Sequence, residues 1–230
     1  MMMATQTVAA QMSQSLALFS LPLFPLGTVL FPGGSLALRI FEVRYLDLIG
    51  KCHKTGAPFG VVSLTQGAEV RRPDPGAPSG DGFALEAFHA VGTLATITHF
   101  SQPRPGLMVI RCSGSQRFHV ASQRRLKHGL WLADVSQQAG DLPVRIPQDL
   151  QGVATALGIL ITALLARNMA FDQMPLQPPY RLDDCGWVAN RWSELLPMPQ
   201  ADRQRLMELD NPLVRLELVS DLLERSGIST

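Results

Sequence analysis

Three cysteines, five histidines and a single Gly-Lys pair are the residues from which catalysis would have to be built. A thiol–imidazole couple needs its two side chains within hydrogen-bond reach. Cys52 and His53 are sequence neighbours, and adjacent side chains point apart on a helix or a strand. Cys112 and His119 would have to meet across a sheet, and the ordinary place of a lone cysteine is core packing. The cysteines, Cys52, Cys112 and Cys185, are odd in number and lie far apart with no C-x-x-C spacing. That excludes a disulfide framework and a zinc knuckle and predicts reduced thiols in a reducing, cytoplasmic compartment. None of His53, His89, His99, His119 and His128 opens an H-E-x-x-H motif. A phosphate loop needs a glycine five residues before its Gly-Lys pair and a hydroxyl after it. Around Gly50-Lys51 those positions hold Tyr45 and Cys52. A nucleophile elbow needs G-x-S-x-G. Gly33-Gly34-Ser35-Leu36-Ala37 lacks the final glycine and reads as a turn entering a strand. No catalytic, metal or cofactor site is expected.

Two other groups of residues are suited to binding. Met169, Phe171, Met174 and Leu176 straddle a proline-dense connector, Asp172 to Pro179. Methionine adapts to many partners, so these four are candidate peptide contacts; the competing reading folds the connector back over the core. Arg124, Arg125 and Lys127 form the one basic cluster, a candidate RNA contact. Against it, no aromatic ladder accompanies the cluster, and 20 basic residues against 19 acidic leave a net charge of only +1. Nucleic acid and anionic membranes are therefore not the expected partners.

The elements that must carry these residues change character along the chain. Of the 230 residues 46% are hydrophobic and 17% charged, the latter below the usual level of about 25%. The chain can bury a full core and retain apolar surface for partners. Short apolar runs at Leu36–Ile40, Phe59–Leu64, Val91–Ile97, Leu107–Cys112, Arg117–Ala121 and Trp131–Val135 have strand length and turn-forming flanks. Phe118 and Val120 alternate with Arg117 and His119, as a half-buried strand requires. Between Phe41 and Cys52 the apolar spacing becomes helical, at 41, 45, 48, 49 and 52. Gln66–Gly82, with four glycines and three prolines, predicts a long spacer loop.

After Asp141 the pattern is helical: Pro147 to Asn168, a helix capped by Asp183 or Asp184, a short one over Ala201–Leu209, and a last one from Pro212 to a Gly227 cap. The apolar run Val153–Ala166 falls short of the ~20 residues a bilayer demands and reads as a buried core helix. The predicted organisation is a flexible leader at 1–19, a β-rich lobe at 20–142 and a helical lobe at 143–230.

Several of these segments resemble a known family. Leu21-Pro22-Leu23-Phe24-Pro25-Leu26, Val29-Leu30-Phe31-Pro32-Gly33 and Leu36 through Tyr45 resemble the opening of Lon protease N-terminal domains. Phe59-Gly60-Val61-Val62, Val91 through Ala95, Gly114 with Arg117-Phe118, and Leu206-Met207-Glu208-Leu209-Asp210 through Arg215-Leu216 continue the likeness. The resemblance implies an α+β fold: a PUA-like lobe of about six strands with one packed helix, then a helical bundle. It also implies a non-catalytic module that recognises unfolded or apolar protein segments, as an adaptor or regulator in protein quality control. The ATPase and Ser–Lys peptidase modules that follow this region in Lon are not expected here, since the sequence holds no Walker A motif. The motif prolines, Glu42 and a pairing arginine, Arg39 or Arg44, read as architecture rather than as binding groups.

Overall fold

The computed structural model describes residues 16–76, 82–167 and 174–228. The described residues form six strands with one helix among them, then four further helices: β1 (Ala17–Leu26), β2 (Ser35–Ile40), α1 (Val43–Thr55), β3 (Phe59–Gln66), β4 (Ala87–Arg104), β5 (Leu107–Arg125), β6 (Trp131–Gln137), α2 (Gln151–Ala166), α3 (Cys185–Leu195), α4 (Gln200–Glu208) and α5 (Pro212–Arg225). A 3-10 turn, Gln148–Leu150, leads into α2.

Five strands close a ring. β1 pairs with β3 in parallel and with β6 in antiparallel fashion, β3 with β4, β4 with β5, and β5 with β6. β2 stands outside the ring on the first part of β5, pairing Ser35–Ile40 with Ser113–Met108. A small barrel is filled by its own side chains. Here Leu21, Leu23, Val62, Leu94, Phe118, Ala133 and Val135 form the filling. Gly60 and Gly92 leave room for the Phe118 ring, because a Cβ at either would lie 2.8 or 2.7 Å from its Cζ. On the other side of the wall Phe24, Ile40, Phe59, Ile110 and Cys112 pack beneath α1, which buries Tyr45, Leu48, Ile49 and Cys52 of the expected stripe; its first member, Phe41, precedes the helix and is 53% exposed. Gly56 ends α1 in the left-handed conformation that glycine adopts without penalty.

The helical half centres on α3, whose residues Cys185–Ser193 are all buried. Leu157 and Ile161 of α2 and Leu216, Val219 and Leu223 of α5 pack around it. This core also contains Val29 and Phe31 from the segment between β1 and β2. The helices are thus completed by residues that precede them by more than a hundred positions.

The structure departs from the sequence expectations in β1, in β5, at Arg117 and in α2. β1 is a ten-residue strand that begins at Ala17, inside the stretch expected as leader. Its two prolines do not interrupt it. The two runs expected at 107–112 and 117–121 are one strand, β5, which changes partner from β2 to β6 along its length. Arg117 does alternate with Phe118, but it is buried beneath the helices rather than half-exposed. The α2 region buries one face only; Ile159 is 67% exposed and Leu165 51%. With its 3-10 turn it forms a 19-residue stretch, Gln148–Ala166, long and apolar enough by length and composition to cross a bilayer. Of the two aspartates expected as the α3 cap, Asp184 takes the role, accepting the Trp187 N–H at 3.0 Å.

Candidate functional site

The seam between barrel and helices is tied by buried charge. Asp141, in the segment leaving β6, accepts from Arg215 at 2.6 Å and from Arg117 at 3.4 Å. Arg117 also donates to the carbonyls of Met207 and Glu208, at 3.1 and 3.2 Å. Arg215 donates to Asn190 at 2.9 Å and to the Leu209 carbonyl. From α3, Arg191 reaches the turn before β2, donating to the carbonyls of Pro32, at 3.0 Å, and Gly33, while pairing with Glu194 at 2.9 Å. Desolvation pushes the Glu194 carboxyl up to about 7 against the pull of Arg191, and it lowers Arg191 in turn. A Cβ at Gly34 would lie 2.1 Å from Glu194 Oε1, so this glycine permits the close approach. These groups fix how the two halves meet.

On the outer face of the sheet two cavities meet at Arg111. One, of about 670 Å³, lies over β2, β5 and β4 between Ala37, Arg39, His99, Ser101 and Val109. The other, of about 410 Å³, continues over Ser35, Thr98 and Ser113 to Gln177, Pro179 and Trp187. Arg111 donates to Ser35 Oγ at 3.0 Å and to the Met174 carbonyl at 3.4 Å, so it holds the proline-rich connector against the strand. The result is a groove floored by strands and closed at one end by the connector. A second cleft of about 770 Å³ opens at the seam, where Arg117, His119, Asp210 and Asn211 alternate with Leu142 and Val144.

Of the expected peptide contacts, Met174 and Leu176 lie in the interior, 7% and 1% exposed, with Leu176 in the helical core. That is the arrangement in which the connector covers the core. Met169 and Phe171 lie outside the described residues. The connector meets the groove instead through Gln177, Pro178 and Pro179. The basic cluster sits at the β5–β6 hairpin, where Arg124 donates to Ser20 Oγ at 3.2 Å and Arg125 lies 5.6 Å from the Trp131 ring centroid. Lys127 occupies the turn closed by the Leu126–Leu130 and Gly129–Leu126 bonds.

The groove was hidden from sequence reading because its floor combines alternate residues of three strands. The one available signal was the alternation of Ala37 and Arg39, both exposed, with Leu38 and Ile40.

The groups weighed for chemistry take other roles. Cys112 is wholly buried, and burial pushes its thiol up to about 12, opposite to the direction that activates a nucleophile. The Cys52 and Cys185 thiols are raised as well, again chiefly by desolvation. His53 stacks on Phe100, with ring centroids 4.0 Å apart. The neighbour of the Ser35 hydroxyl is the Arg111 guanidinium, which has no lone pair to take a proton. No three His, Cys, Asp or Glu residues converge on a metal position among the described residues. Arg44 is the arginine that pairs with Glu42, at 3.3 Å, and with Glu86, at 3.0 Å; Glu86 also accepts from Trp131 Nε1. That cluster ties α1 to the barrel, an architectural role.

A closed barrel with an outlying strand, one packed helix and a helical half built on it define an α+β, Lon N-terminal type of fold. The chain belongs to the family described as the ATP-dependent protease La (LON) substrate-binding domain, matched over residues 20–225. A Lon N-terminal domain protein from Xanthomonas campestris, known as a crystal structure, is 32% identical with a TM-score of 0.62, over 89% of this chain and 98% of that one. The N-terminal domain of a Mycobacterium avium complex Lon protease shares the fold at 13% identity and a TM-score of 0.52, covering 88% and 96% of the two chains. A search of the curated proteins finds no match.

Proposed function

We propose that the protein is a non-catalytic recognition module that binds unfolded or apolar segments of other proteins, acting as an adaptor or regulator in protein quality control. The observation that supports this reading is the groove running from Arg39 and Ser101, past Arg111, to Pro179 and Trp187. It is long and open, its floor is a rigid sheet, and its walls mix aliphatic carbons with hydrogen-bonding groups. Such a surface accepts an extended chain better than a compact metabolite. Membership of a substrate-binding family supports the same reading.

The test is fluorescence anisotropy with a reduced, carboxymethylated protein as the unfolded probe. The wild-type chain binds it, and Ser101→Trp, which fills the groove from its outer face, weakens binding at least tenfold while leaving the circular dichroism unchanged. Absence of wild-type binding, or full binding by the variant, overturns the assignment. Incubating the same probe with and without ATP yields intact probe. Binding to RNA that falls steeply with salt and is lost in Arg124→Ala/Arg125→Ala/Lys127→Ala would replace this reading with nucleic-acid recognition.

A further inference from the structure

β2 ends the sheet. Among the described residues its only strand partner is β5, so every second N–H and C=O along Ser35–Ile40 points away from any neighbouring strand. Proteins usually protect such an edge with lysine, proline or a bulge. β2 carries none of these. Its six pairs with β5 run without a register shift, and its one charged residue is Arg39.

The surroundings of the edge are also unusual. A pocket of about 290 Å³ lies beside it, between the end of β1 and β2, floored by Phe24, Leu26, Ile40 and Tyr45. Ligand cavities span roughly 300–1,000 Å³, so this one suits a side chain rather than a whole cofactor. The Tyr45 ring stacks on Phe24 at 3.9 Å, which makes that wall flat and aromatic, and the buried Tyr45 hydroxyl has no hydrogen-bond partner among the described residues. Three apolar residues stand exposed around the strand: Phe41 at 53%, Val43 at 78% and Val70 at 47%. The rim bears both signs of charge, Arg39 facing Glu42 and Glu69, so it favours no strongly charged occupant.

We propose that β2 is a strand-addition site: an extended polypeptide segment pairs with its open edge and seats one apolar side chain in the Phe24–Leu26–Ile40–Tyr45 pocket. An open edge specifies its occupant, because only another extended backbone presents donors and acceptors at the matching spacing. The pocket supplies the preference for a large apolar side chain, and the mixed-sign rim favours flanks without a run of like charge. β2 also borders the groove through Ser35, Ala37 and Arg39, so the added segment lies along the same face that the recognition reading uses. The inference rests on that reading and adds the mode of binding: main-chain pairing gives affinity and one pocket gives selection.

The experiment uses the full chain and three fluorescein-labelled ten-residue peptides, each of alternating Val and Thr with one central Phe. One is unmodified, and the other two carry N-methyl groups on alternate amides, in the two complementary registers. The Phe anchor fixes which peptide edge faces β2, so methylation in one register weakens binding at least tenfold and methylation in the other leaves it within about twofold. Hydrogen exchange of the Ser35–Ile40 amides slows when the unmodified peptide is bound. Phe41→Asp and Ala37→Lys, both at exposed positions, reduce binding without altering circular dichroism. Equal binding of the two methylated peptides, or no protection of β2, overturns strand addition. If the carboxymethylated protein is captured while none of the peptides binds, strand addition falls and the broader recognition reading stands.

Discussion

Arg191 and Glu194 show how single residues join the two halves. The pair is held at the Pro32-Gly33-Gly34 turn with Arg191 buried and Glu194 largely so, where charge is costly even when paired. Desolvation raises the Glu194 carboxyl to about 7, above its ordinary value near 4.5, although Arg191 opposes the shift. The folded chain therefore binds this proton more tightly than the unfolded chain does. The resulting stabilisation is complete below about pH 4.5 and is lost as pH rises through about 7. Urea midpoints measured across that window should fall with rising pH in the wild type, and Glu194→Gln should remove this part of the slope. An unchanged slope in the variant refutes the assignment.

At the scale of elements, the termini of the helices follow local chemistry. α5 begins at Pro212 behind Asn211, whose side chain accepts the N–H groups of Leu213 and Val214 at 3.0 and 3.3 Å. Proline at the first helical position costs no hydrogen bond, and the asparagine satisfies donors that the helix leaves orphaned. Asn211→Ala should cost about 1 kcal/mol in denaturant unfolding, and Asn211→Asp should retain most of the stability. These signals were readable: Asn211-Pro212, the Leu216, Val219 and Leu223 stripe, and Gly227 all lie close in sequence. β1 was less legible, because Pro22 and Pro25 resemble breaks. The pairing of Pro22 with Leu132 and Pro25 with Val62 makes them strand residues. The length of β5 was hidden for a related reason. Gly114 to Gln116 look like a turn in isolation, and only the exchange of β2 for β6 as partner explains why the strand continues.

For the molecule as a whole, Asp141 is the shared carboxylate of Arg117 and Arg215, and it lies in the segment that joins sheet to helices. Without this carboxylate the buried Arg215 is left with the neutral partners Asn190 and the Leu209 carbonyl, while Arg117 keeps Asp210 at 3.0 Å. Asp141→Asn should cost about 2 kcal/mol in urea unfolding, the scale of hydrogen bonds to a charged group. It should also separate the unfolding transition reported by Trp131 of the barrel from that reported by Trp187 and Trp192 of α3. Coincident, undisplaced transitions would show that the seam does not depend on this carboxylate. The placement of Val29 and Phe31 in the helical core has the same meaning. A boundary drawn near residue 142 divides the strands from the helices, but it cuts through one packed interior.

The sequence by itself determined the change from strands to helices near residue 141 and the buried face of α5. It also determined the absence of motif spacing for a phosphate loop, a zinc knuckle or a nucleophile elbow. Each of these depends on residues within a few positions of one another, where periodicity, capping and covalent geometry act. Tertiary structure decided which strands close the barrel and that β2 is left at the edge. It buried Met174 and Leu176 while leaving Pro178, Pro179 and Trp187 on the groove. It also drew Arg117, Asp141 and Arg215 into one cluster. Those outcomes depend on contacts between residues up to 159 positions apart, as between Arg191 and Pro32. Burial and pairing at that range arise only when the whole chain has packed, so no local pattern records them.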